Sequence, residues 1–250
     1  MTCPPADGLS YTMKFLLFDI DGTLIDSGGA GVRSLNLAFE EMFSLRDAFS
    51  TVSMAGKTDP QILGEALTLH GIKSQNGVVP EFYRAYLRHL TEQIENGEGH
   101  VKPGMREALD ILMDRKDFIL GLLTGNIEEG AAIKLEHFCL RSYFVAGAFG
   151  SDAEDRNRLL PVAVEKLSCA TSIKVPFTDC VVIGDTPRDV DCAKPYGAFS
   201  VAVATGPYSS AALSAAGADV VFEDLSDTKA FLSVLQKAAA EDGQHISSSC

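Results

Sequence analysis

Basic residues are scarce in this chain. Its 21 lysines and arginines face 34 aspartates and glutamates, for a formal net charge of −13 and a pI near 4.7. Such a field repels nucleic acid and anionic membrane surfaces, so neither is expected as a partner. Small anions are not excluded, because a bound divalent cation reverses the field locally. Long apolar runs are also lacking. The run FLLF at residues 15–18 is far too short for a signal sequence or a membrane span, and acids follow it at once. The six cysteines (Cys3, Cys139, Cys169, Cys180, Cys192 and Cys250) include no CxxC pair and have no histidine nearby at zinc spacing. Free thiols in a reducing compartment follow, and a cytoplasmic location is the expectation. There is no internal repeat and no low-complexity tract, and oligomeric state leaves no mark in the sequence.

What is present is ordinary globular composition, 46% hydrophobic and 22% charged over 250 residues. That length holds one large domain, or one domain carrying a smaller one. Short apolar runs alternate with amphipathic stretches, the pattern of βαβ units and a parallel sheet. Strands are expected near 14–19, 118–123, 143–148, 179–184, 199–203 and 219–222. Helices are expected near 104–115, 127–138, 157–169, 188–194, 209–216 and 227–240. Residues 26–100 break the alternation, with three helical patterns and no convincing strand. In the first, Val32, Leu35, Phe39, Met42 and Phe43 share a face. In the second, Thr58 precedes Gln61 at capping-box spacing. In the third, Phe82, Tyr86, Leu90 and Ile94 recur at helical spacing.

The expected fold is therefore α/β: a Rossmann-like parallel-sheet core with helices on both faces, formed by 14–25 and 101–240. A small all-helical domain, 26–100, is inserted after the first strand, and 1–13 and 241–250 read as flexible termini. Ser27-Gly28-Gly29 and Asn96-Gly97-Glu98-Gly99 flank the insert. Glycine linkers beside a strand-end site suggest a lid that hinges.

Three of the apolar runs end in a polar residue: KFLLF at Asp19, FILGLL at Thr124 and VVIG at Asp185. Parallel strands would put all three at one sheet edge, where open α/β sheets bind ligands. The first run continues as DIDGTLIDS. Gly22 permits a tight turn after the strand, so Asp19 and Asp21 can address one small space. Two acids this close need a cation or a proton between them. One could attack as a nucleophile while the other serves as acid and then base.

These motifs resemble the haloacid-dehalogenase-like superfamily, and more narrowly its phosphatase branch with a helical (C1-type) cap, phosphoglycolate phosphatases among them. The resemblance covers about residues 14–240. The family's DxDGT motif matches Asp19 to Thr23, which implies Asp19 as the nucleophile of an aspartyl-phosphate and Asp21 as acid/base. The dehalogenases resembling this family lack an acid at the Asp21 position, so phosphoryl transfer is favoured. The second motif matches Thr124 in LLTGN, where the hydroxyl and the Gly125 amide could both donate to a phosphoryl oxygen. Asn126 could join them as a substrate contact or cap the next helix, and the cap role is preferred.

The third motif calls for a cation near the phosphoryl group. Many members carry Lys-Pro there, whereas this chain has SDAEDRNRLLP, and Arg156 and Arg158 both qualify. Similarity to a DRN-containing variant favours Arg156. The fourth motif, GDxxxD, matches Asp185 and Asp189. The resemblance implies Mg²⁺ held by Asp19, the Asp21 carbonyl and Asp185, with Asp189 acting through water or orienting the others. An acid in a helix's first turn is also favoured by the helix dipole. Lys57, just before a helix of the insert, could contact an anionic group of the substrate or simply be solvated, and Thr205-Gly206-Pro207 reads as a turn.

The implied activity is a Mg²⁺-dependent phosphomonoester hydrolase acting on a small phosphorylated metabolite. A β-phosphoglucomutase-type phosphomutase is the alternative, and a non-catalytic binding protein on the same scaffold is a third reading.

Overall fold

The computed structural model describes residues 13–74 and 77–240. Of the expected flexible termini, only Met13 falls within them; the rest lies outside the described residues. The strands in chain order are β1 (Lys14–Phe18), β2 (Ile25–Asp26), β3 (His100–Val101), β4 (Phe118–Leu123), β5 (Ala146–Ala148), β6 (Cys180–Gly184), β7 (Phe199–Val203) and β8 (Val220–Phe222). Six of them form one parallel sheet in the order β5-β4-β1-β6-β7-β8. β1 sits between β4 and β6, with Leu16 opposite both Leu120 and Val181. All five of its residues are buried. A strand covered on both faces reads as a continuous apolar run, and that is why KFLLF carries no alternation.

The two faces nevertheless separate cleanly. Leu16, Phe18, Leu120, Leu122, Val181 and Ile183 belong to one hydrophobic cluster, and Phe15, Leu17, Leu123, Cys180 and Val182 to another. Fully burying each Leu or Phe contributes roughly 1.5–3 kcal/mol. Helices α1 (Ala30–Phe43), α2 (Asp59–Leu69) and α3 (Val78–Gln93) precede those that cover the sheet. α4 (Met105–Met113), α5 (Glu128–His137) and α9 (Thr228–Ala240) pack on the first face. α6 (Leu159–Thr171) and α7 (Pro187–Ala193) pack on the second. A short α8 (Ser210–Ala215) stands beside β7 and β8. This is the Rossmann-like arrangement expected from the alternating pattern. No helix among the described residues is long and apolar enough to cross a membrane, and the four described cysteines are free thiols.

α1, α2 and α3 bury their apolar faces mainly against one another. Phe39, Leu63, Phe82 and Tyr86 form a cluster that reaches the rest of the molecule at Ile127, just before α5, at Ile133 within it and at Phe138 just after it. Phe39 and Phe49 meet edge to face at 5.3 Å, a favourable arrangement of ring quadrupoles.

The expectation of no strand within 26–100 needs correcting. Where the chain leaves for these helices and returns, β2 and β3 pair antiparallel, with Asp26 opposite His100. Two-residue strands carry no readable period, so the pattern missed them. One of the flanking glycines is hydrogen-bonded across its turn. The Gly28 amide donates to the Asp26 carboxylate at 2.9 Å, and the Lys102 ammonium approaches the same side chain at 3.1 Å.

At the opposite edge of the sheet from Asp19, Lys14 and Asp179 form a buried ion pair at 2.9 Å, their side chains 2% and 10% exposed. The five residues of β1 put this pair roughly 16 Å from the strand end. Lys14→Ala leaves Asp179 buried without a partner, and a loss of about 3 kcal/mol is expected in urea unfolding. The geometry at Asp19 should be untouched, which spectra or crystals of the variant would check.

Candidate active site

Asp19 directly follows β1, Thr124 follows β4 and Asp185 follows β6. The sheet's connections run outward in opposite directions from β1, so these three ends flank the topological switch point. A cavity of about 440 Å³ opens there, walled on one side by strand-end residues and on the other by the insert.

At its floor, carboxylate oxygens of Asp19, Asp185 and Asp189 lie within 4.8 Å of one another, and all three residues are buried. Asp19 is placed by its amide, which donates to the Ile183 carbonyl at 2.9 Å. Gly22 takes φ +84°, and a Cβ there would fall 2.3 Å from an Asp185 carboxylate oxygen. The turn after β1 can close on β6 only because residue 22 has no side chain. Asp185 also accepts from the Thr23 hydroxyl at 3.0 Å, and Gly206 packs against it so closely that a Cβ would overlap it. Asp189 lies in the first turn of α7, where its carboxylate accepts from the Thr186 amide and hydroxyl at 3.0 and 2.8 Å. It therefore caps the helix and faces the cluster at once.

Arg156 is the cation of this floor. It is 4% exposed, ion-paired with Asp189 and 3.3 Å from Asp19. Arg158, two residues on, is exposed. The difference arises in the short 3-10 turn Arg156–Arg158, which points the first arginine under the sheet edge and the second to solvent. Burial raises the Asp19 carboxyl to about 6, against the pull of Arg156 and helped by Asp189. Asp185 is pushed well above the usual carboxylate range by burial, then by Asp19 and Asp189. Burial disfavours the Arg156 charge, but Asp189 and Asp19 outweigh it and hold the guanidinium protonated. Three acids against one base, with oxygen donors only, fit a hard divalent cation.

Across the cavity, Thr124 is fully buried and its amide donates to the Ala148 carbonyl at 3.0 Å. Asn126 does not cap α5; Ile127 holds that position. The Asn126 amide nitrogen instead donates to Thr124 Oγ1 at 2.9 Å and to Asp21 Oδ2 at 2.8 Å. The local preference of asparagine for helix starts lost to tertiary partners. The Ile127 amide is served by Asp59, whose Oδ2 accepts at 2.8 Å. Burial raises the Asp59 carboxyl to about 6, opposed by Lys134.

Lys57 lines the cavity but is not solvated, because its ammonium is paired with both oxygens of Glu65 at 2.5 and 2.7 Å. Its carbonyl lies against Gly125, where a Cβ would come within 2.1 Å. The insert also docks through the Thr58 hydroxyl on the Glu154 carbonyl at 2.6 Å and the Asp59 amide on the Gly125 carbonyl at 2.7 Å. Thr58 caps α2 as its spacing suggested, accepting from the Gln61 amide at 3.3 Å.

Sequence reading passed over three contributors to this site. Lys134 on α5 is buried against Asp21 and Asn126. Asp59 was visible only as part of a helix start. Thr205 donates to the Gly22 carbonyl at 2.6 Å, and with Gly206 it lines the cavity rather than serving only as a turn. For Thr205 there was a signal, since it follows β7 at the same sheet edge as the three marked strand ends.

The haloacid dehalogenase-like hydrolase family matches residues 16–203 of this chain. A phosphoglycolate phosphatase from Vibrio parahaemolyticus serotype O3:K6 is 26% identical over 226 residues, covering 86% of this chain and 94% of that protein. A hydrolase structure from Pseudomonas syringae has a TM-score of 0.67 at 23% identity, over 90% of this chain and 99% of its own. A structure from Bacteroides vulgatus, named for β-phosphoglucomutase, has a TM-score of 0.67 at 21% identity, over 93% of this chain and 92% of its own. At those identities the two structures testify to fold alone. The family match spans most of the chain and contains the strand ends at Asp19, Thr124 and Asp185, and on that ground the chain belongs to the haloacid dehalogenase-like hydrolases.

Proposed function

We propose that this hydrolase is a Mg²⁺-dependent phosphomonoesterase, acting in the cytoplasm on a small phosphorylated metabolite through an aspartyl-phosphate on Asp19. The observation that carries the reading is the pairing of two unlike carboxylates across one cavity. Asp19 is buried among acids beside Arg156, whereas the Asp21 side chain is 42% exposed to the cavity and held by Lys134. Unlike environments separate a nucleophile from an acid/base.

Asp19, the Asp21 carbonyl and Asp185 would hold the cation, with Asp189 orienting them. When bound, it offsets charge on the phosphoryl oxygens and on the clustered acids. Arg156 supplies the positive charge of the protein itself at the same place. The Thr124 hydroxyl and Gly125 amide orient the phosphoryl group, and Asn126 and Lys57 line the space for the rest of the substrate.

In the first step an Asp19 oxygen attacks phosphorus, the bond from phosphorus to the ester oxygen breaks, and Asp21 gives that oxygen its proton. In the second, Asp21 takes a proton from water as the water attacks phosphorus, releasing phosphate and restoring the Asp19 carboxylate. Residues 26–100 act as a cap domain over the core formed by 14–25 and 101–240. Docked through Thr58, Asp59 and the loop before them, the cap excludes bulk water and supplies contacts that choose a substrate. The similarity to a phosphoglycolate phosphatase supports hydrolysis over mutase chemistry, since the mutase-named neighbour contributes only its fold.

A panel of phosphomonoesters assayed with and without Mg²⁺ tests the reading. Phosphate release should require the metal, and Asp19→Asn should bring it to background; wild-type-like turnover by that variant would refute the mechanism.

The seam between cap and core gives a second expectation. The Asp59 carboxyl sits at about 6 in the folded protein against 3.8 for the free group. Its protonated form therefore favours the fold below about pH 4, and that contribution is lost as pH rises through 6. Between pH 4 and 7 the wild type should lose about 2 kcal/mol more stability than Asp59→Asn, read from urea unfolding at each pH. Identical pH dependence in the two proteins would contradict the placement of Asp59.

A further inference from the structure

Lys134 is the one buried lysine of the cavity that no motif announces. Its side chain is 4% exposed, and its ammonium lies 2.6 Å from Asp21 Oδ2 and 2.6 Å from Asn126 Oδ1. The start of α1 roofs it: a Cβ on Gly31 would stand 3.5 Å from the ammonium, at ordinary van der Waals distance. A lysine this deep is held by its partners, because an ammonium without them would cost several kcal/mol.

The geometry constrains more than the lysine. An ammonium only donates, so the oxygen of the Asn126 amide must face Lys134 and its NH₂ must face away. That NH₂ then reaches Asp21 Oδ2 and Thr124 Oγ1 together. Asp21 Oδ2 thus receives two donors, at 2.6 and 2.8 Å. Both donors engage the same oxygen of the carboxylate, which leaves Oδ1 for reacting atoms. Lys134 sets this arrangement twice, once by direct contact and once by fixing which way the asparagine points.

We propose that Lys134 is a positioning residue for acid/base chemistry at Asp21, locking the carboxylate rotamer through Oδ2 and through the Asn126 amide. The proposal rests on the hydrolase reading above and deepens it, because it names what aims the proton donor at the leaving group. It also couples that aim to the cap, since Gly31 covers the lysine and Asp59 lies within its field.

A residue needed only for folding lowers turnover of every substrate alike. One that aims a proton donor matters most for leaving groups that need the proton. The test therefore compares kcat/KM, which reports steps up to phosphoryl transfer, for an alkyl phosphate and for 4-nitrophenyl phosphate. Lys134→Met keeps the stem length without a donor, and Lys134→Gln keeps a donor in case the first variant folds poorly. In Lys134→Met, the alkyl substrate should lose about 100-fold and the nitrophenyl substrate less than about 10-fold. Lys134→Gln should fall between wild type and Met on the alkyl substrate alone. Equal losses on both substrates, or no loss, overturn the proposal.

A crystal structure of Lys134→Met separates this from failure of the hydrolase reading. Asp21 should leave its wild-type rotamer and the Asn126 amide should turn. Unchanged side chains would overturn the positioning role, whatever the activity of the wild type.

Discussion

Three carboxylates share the buried end of the sheet with a single guanidinium, and the remainder of the site answers that imbalance. Asp19, Asp185 and Asp189 are kept out of water by the strands that end there and the helix that starts there. Burial and mutual repulsion push Asp19 and Asp185 upward, and Arg156 relieves only part of the strain. A cluster with two charges unbalanced is stable as drawn when protons or a cation enter it. A divalent cation does so while leaving Asp19 ionised, the state a carboxylate nucleophile requires. The same constraint explains the crowding of Gly22 and Gly206 against Asp185, since any side chain there would displace the oxygens from their common space.

Electrostatics then divides the cavity. On the sheet side, acids surround one arginine; on the far side, Asp21 meets Lys134 and Asn126 in a half-open setting. The helical insert lies over both, held by hydrogen bonds at the Gly125 and Glu154 carbonyls and by apolar packing on Ile127, Ile133 and Phe138 around α5. α1 to α3 bury most of their apolar faces among themselves.

Much of this was legible in the sequence, for definite reasons. Most strands of the sheet are apolar runs whose existence was marked, although β5 starts at Ala146, three residues later than expected, because Arg141–Tyr143 form a 3-10 turn. DIDGT and GDTPRD announce themselves because a glycine or a helix start must follow the strand immediately for two acids to converge. What was not legible depends on tertiary direction. Arg156 and Arg158 differ by two positions; resemblance alone favoured Arg156, and the 3-10 turn is what sends it inward. Asn126 has the right local chemistry for a helix cap and spends its side chain elsewhere. Lys134 follows Asn126 by eight residues along a helix, a spacing that matches no motif. Two-residue strands such as β2 and β3 carry too little sequence to have a period at all.

The central claim is that Asp19 becomes phosphorylated during turnover. Rapid acid quench of the enzyme with substrate, followed by borohydride reduction, converts an aspartyl-phosphate to homoserine, which peptide mass spectrometry locates. Homoserine at position 19, appearing only when substrate is present, is the predicted result. Its absence under conditions of active turnover, or its appearance at Asp21 or Asp185 instead, would contradict the account.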